Sequence, residues 1–74
     1  MKKENINILN NMRLSISKRN AIIDEMNSVL EYKGFQYDEG EYTGYVNLLF
    51  ILDYISAEDA NSLMEEIELL YTYN

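Results

Sequence analysis

No proline interrupts the 74 residues, and no cysteine or histidine is present to staple them. That combination narrows what the chain can fold into. A domain of this length buries only about 60% of the surface its unfolded chain exposes, so its core is marginal without help. Disulfides and thiolate metal sites are excluded, and the commonest transition-metal ligand is missing. What remains is well-packed helices or association with another chain. Freedom from proline suits long helices. One small domain over residues 1–74 is expected.

Hydrophobic spacing points to an all-α fold, a small antiparallel bundle of three to four helices at about residues 3–14, 18–33, 41–55 and 57–72. The first carries Ile8, Leu9 and Met12 on one face, but Asn5, Asn7, Asn10 and Asn11 are poor helix formers. Leu14-Ser15-Ile16 alternates like a short strand or forms a bend. In the second, Ser17 is the expected N-cap, and Ile22, Met26, Val29, Leu30 and Lys33 follow one helical face. Gly34 stands where a left-handed residue would end that helix. The last helix opens on Ser56-Ala57-Glu58-Asp59, with Asp59 in place of the usual capping-box Glu. Ala60, Leu63, Met64, Ile67, Leu70 and Tyr71 then form an apolar stripe.

Residues 41–55 read two ways. As a helix, Tyr45, Leu48, Leu49, Leu52 and Ile55 share the core face, leaving Val46 and Phe50 on a second, spare face. As a strand over 45–52, in an alternative α+β fold, Val46, Leu48, Phe50, Leu52 and Tyr54 would share a side. Length favours the helix, because strands usually run about 5–6 residues.

Charge divides the chain. Residues 1–33 hold all six basic residues against four acids, a balance of +2. Residues 34–74 hold nine acids and no base, which brings the whole chain to a net charge of -7. Such asymmetry points to a polar partner surface or to head-to-tail association. It disfavours direct nucleic-acid binding, which needs a basic footprint, and binding to anionic membranes. Arg13, Lys18 and Arg19 are too few to make a DNA-binding regulator. No apolar run is long enough to span a bilayer, and the opening MKKENINILNN lacks the features of a secretory signal. A cytoplasmic protein is expected. Lys, Asn, Ile and Tyr exceed a third of the residues, and their A/T-rich codons suggest a bacterial or phage genome.

Catalytic chemistry finds no footing. Nucleophilic schemes need a base beside the nucleophile, and no histidine can serve. Gly34, Gly40 and Gly44 have the wrong spacing for a phosphate-binding loop. Asp38, Glu39 and Glu41 cluster around Gly40, but without the alternating acids of an EF-hand, so the expectation is a solvated acidic turn over Tyr37–Gly40. Neither a metal nor a cofactor is expected.

A partner surface is the remaining reading. Six of the seven tyrosines lie in the acidic half. Tyr45 and Tyr71 fit core rings with hydroxyls at the rim, while Tyr37, Tyr42 and Tyr73 fit partner contacts. Glu58, Glu65, Glu66 and Glu68 crowd the last helix with no Lys to pair, and like charges three or four apart cost a few tenths of a kcal/mol per pair. With Asp38, Glu39 and Glu41 they are the expected partner-binding acids. In class, though in no motif, the chain is similar to small acidic phage inhibitors of restriction or CRISPR defence. Such a protein would dock on a basic, nucleic-acid-binding groove. The alternative is a structural homo-oligomer such as a dimer, burying Val46, Phe50 and Ile51 against a second copy.

Overall fold

The computed structural model describes residues 1–31 and 36–72, except the side chains of residues 36–39, 71 and 72. The described residues form four helices: α1 (Lys3–Asn10), α2 (Ile16–Glu31), α3 (Gln36–Ile51) and α4 (Ala57–Thr72). The all-α expectation holds, and residues 45–52 are not a strand. α3 packs against α2 and α4, and α1 closes the bundle by packing against the same two helices. The globule measures 34 × 23 × 20 Å.

The stripes read from α2 and α4 do point inward. Met26, Val29 and Leu30 of α2 meet Leu63 and Ile67 of α4 in one core, with Leu9 and Met12 beneath them. Ile22, Ala60, Met64 and Leu70 pack on its margin. The Lys33 and Gly34 expectations, and the Tyr71 ring, lie outside the described residues.

Several boundaries move for local reasons. α1 stops at Asn10, where the run of asparagines gives the helix little propensity, and residues 12–14 form a bend. The N-cap of α2 is Ser15 and not Ser17: the Lys18 amide donates to Ser15 Oγ at 3.3 Å. α3 begins at Gln36, so Tyr37–Gly40 is helical and not a turn. This start places Asp38 and Glu39 in the first turn of the helix, where the dipole favours acids.

α3 also ends four residues earlier than its apolar run. The Asp53 amide donates to the Phe50 carbonyl and the Tyr54 amide to the Leu49 carbonyl, both at 3.0 Å. That bond pair is a Schellman motif, with Asp53 at φ 63° in the left-handed position glycine usually takes. Four residues after Asp53 the chain re-enters a helix through the expected capping box. The Asp59 amide donates to Ser56 Oγ at 3.0 Å, and the Ser56 amide reaches Asp59 Oδ2 at 3.4 Å. The second bond is long because Asp is one methylene shorter than Glu.

The face of α3 that enters the core differs most from the sequence reading. Tyr42, Val46 and Leu49 point inward, one turn apart. Leu48, Ile51 and Leu52, two of them assigned to the core face, lie outside at 53%, 72% and 55% exposure. Apolar residues surround this helix, so periodicity alone does not fix its rotation.

Candidate functional surface

The expected partner-binding residues separate into three groups. The side chains of Tyr37, Asp38, Glu39 and Tyr73 lie outside the described residues. Glu41, Glu58, Glu65 and Glu68 are exposed. Tyr42 and Glu66 are buried, which removes both from the surface. Val46, expected on an oligomer face, is likewise core, while Phe50 at 44% and Ile51 are open to solvent.

Glu66 is buried for a structural purpose. Lys2 caps α1 without any side-chain hydrogen bond of its own. Glu66 reaches across from α4, and the Lys2 amide donates to both carboxylate oxygens at 3.0 Å. The Asn5 side-chain Nδ2 donates to Glu66 Oε1 at 2.6 Å and to the Ser62 carbonyl at 3.3 Å. Ser62 Oγ donates back to Asn5 Oδ1 at 2.7 Å. The Met1 amino group stands 3.8 Å from Glu66 Oε2. Glu66 therefore does for α1 what a capping-box Glu does within one helix, and adds a negative charge at the positive end of its dipole. Asn5 is fully buried at the centre of this latch. Sequence reading missed it because an asparagine in a weak helix looks like a surface residue. Its i+4 spacing to Leu9 was the available signal.

Tyr42 is the largest fully buried side chain, and its hydroxyl has no hydrogen-bond partner among the described residues. Burial, and then the charge of Glu66, hold its phenol well above the ordinary range. Tyr45 sits at the rim as expected. Its hydroxyl points to Glu25 Oε2 at 3.5 Å and Glu41 Oε1 at 3.4 Å. Partial desolvation, then the charges of Glu41 and Glu25, raise its pKa as well.

The outer side of α4 has no such network. Glu58, Glu65 and Glu68 recur at i, i+7 and i+10 and so share one stripe. Residues 36–72 contain no Lys or Arg. Among the described residues the only ion pair is that of Glu66 with the Met1 amino group. Beside the stripe runs an open groove of about 200 Å³ between α3 and α4. Val46, Phe50, Ala57, Ala60 and Met64 give it an apolar lining, with Asn47 and Asn61 the polar residues. Glu65 stands one turn from Asn61, and Glu68 one turn from Met64, both groove residues.

A second hollow of about 280 Å³ lies among Met1, Leu30, Glu31, Glu66 and Leu70. Among the described residues no three acids converge as a metal site, and no helix is long and apolar enough to cross a membrane. A scan against protein-family models, a search of curated proteins and a search of solved structures each return no match to this chain.

Proposed function

We propose that the chain is a non-catalytic protein-binding module, an acidic inhibitor or adaptor that docks α4 on a basic, nucleic-acid-binding groove of a cytoplasmic target. The observation that supports this is the exposed stripe of Glu58, Glu65 and Glu68, unpaired among the described residues, on a helix held on its inner side through Glu66. Carboxylates held in line can stand before Arg and Lys side chains as phosphates do. Glu41, whose carboxylate meets the Tyr45 hydroxyl beside Glu25 of α2, stands on the other side of α3 and lies outside this contact. Inhibition of a host defence nuclease by a phage-encoded chain is the biological form of this reading.

The test is capture from a bacterial lysate at low and high salt. The expected partner is a nucleic-acid-binding protein, released by rising salt and by duplex DNA. The double variant Glu65→Lys/Glu68→Lys should capture nothing while keeping its helicity. Undiminished capture by that variant would sink the reading.

A second reading, a homo-oligomer, is favoured by the outward Leu48, Ile51 and Leu52 together with Phe50. This much apolar surface in so small a domain marks a contact site.

A further inference from the structure

The geometry points to a second copy of this chain as an occupant of the α3–α4 groove, entering with Ile16 on its basic α1–α2 turn. This rests on the homo-oligomer reading and gives it a seat.

The two surfaces are opposite in charge and both apolar at their centre. Ile16 opens α2 and is 68% exposed, among the most exposed large apolar side chains described. Exposed Arg13 and Lys18 flank it in sequence, with half-buried Arg19 next. An apolar knob between cations is the complement of an apolar groove beside carboxylates. The groove's volume, about 200 Å³, falls below the several hundred Å³ usual for small-molecule sites and suits a single side chain. Ala57, Ala60, Met64 and Phe50 all line it, so Ile16 would meet an apolar surface that includes an aromatic ring. Glu65 and Glu68 would then face Arg13 and Lys18, the charge pairing that residues 36–72 cannot supply themselves.

One anchor with a charged rim makes a small interface, so the contact should be weak and salt-sensitive. It engages the same edge of α4 that a foreign basic partner would use, so partner and copy would compete.

Sedimentation of the full chain, from micromolar to roughly 1 mM at low salt, tests this. Association should grow with concentration and fade with salt. Ile16→Asp places a charge at a solvent-exposed position, so the fold should persist by circular dichroism while association weakens at least roughly tenfold. Glu65→Lys/Glu68→Lys and Arg13→Glu/Lys18→Glu should each fail to self-associate. Mixed together they should associate again, because each then offers the other a complementary surface. A monomer at every concentration would overturn both this seat and the homo-oligomer reading. An oligomer indifferent to Ile16→Asp and to both reversals would keep that reading and overturn the seat. Reversals that weaken association without restoration on mixing would overturn it too.

Discussion

Glu65 and Glu66 are sequence neighbours on α4, yet helix geometry sends them to opposite regions of the molecule. Glu66 turns inward and is held by the Lys2 amide and by Asn5. Glu65 turns outward beside Asn61 and the groove, with no cation among the described residues to meet it. The inner carboxylate is matched by a helix N-terminus, a partial positive charge that no count of Lys and Arg reveals. The outer one is matched by nothing within its own half of the chain. An acidic run in a sequence is therefore not one feature. Its members must be assigned singly, and backbone amides belong among the possible partners.

The largest test of that contrast is truncation of each side chain. Glu66→Ala removes the acceptor of the Lys2 amide and the shortest hydrogen bond of the buried Asn5 side chain, which keeps only its Ser62 contacts, and should cost about 3 kcal/mol. Against a total of roughly 5–15 kcal/mol for a typical domain, that is a severe loss. Urea titration reads it, and hydrogen exchange should show α1 amides losing protection first. Glu65→Ala should stay within about 0.5 kcal/mol of the parent. Equal losses at the two positions would dissolve the distinction.

Tyr42 gives the next effect. Its buried hydroxyl lacks a partner among the described residues, so Tyr42→Phe should be neutral or stabilise by about 1 kcal/mol. A residue presented to a partner would show no such gain. The same variant has a signature in pH. The folded state holds the phenol proton more tightly than the unfolded chain, whose ordinary pKa is 10.0. Its contribution is therefore full below pH 10 and declines as pH rises through 10 toward the folded value. Tyr45 shifts in the same direction and adds to the decline. Tyr42→Phe should flatten the alkaline fall in stability, measured by urea midpoints between about pH 9 and 11.

These residues also show where the sequence was legible. The inward faces of α2 and α4 were legible, though not the start of α2, because their apolar residues occupy one side and leave the other polar. The Ser56–Asp59 box was legible because capping is a local bond between named side chains. α3 was not, since Leu48, Ile51 and Leu52 compete with Tyr42, Val46 and Leu49 for the same core. Tyr42 was sent to the surface by its acidic neighbours, although Tyr42, Val46 and Leu49 keep the i, i+4, i+7 spacing. Glu66 and Asn5 were missed for another reason. Their partners lie more than sixty residues away in sequence, and only tertiary packing brings them together.

Glycine usage within α3 separates the two ends of that helix by a smaller effect. Gly44 is in the helix interior, and a Cβ there would meet nothing within 4 Å. Gly44→Ala should add about 0.5–1 kcal/mol. At the other end Asp53 holds a left-handed φ of 63°, and Asp53→Gly should gain a comparable amount, about 0.5–1 kcal/mol, by relieving it. Thermal melts of both variants and of their pair should show additive rises, since the sites share no partner.

The smallest effect returns to the outer edge of α4 and carries the functional contrast. Glu65 and Glu68 are like charges three residues apart on an exposed face. Glu68→Lys converts that repulsion into a pair with the acid on its N-terminal side, the better orientation, and moves a cation toward the C-terminus of the helix. Stability should rise by about 0.3–0.8 kcal/mol, seen as a small increase in the urea midpoint that shrinks with salt. A substitution that stabilises the fold while weakening a contact identifies a surface kept for binding at the expense of stability. If Glu68→Lys stabilises the helix and alters neither self-association nor capture of a basic partner, the acidic stripe serves only solvation.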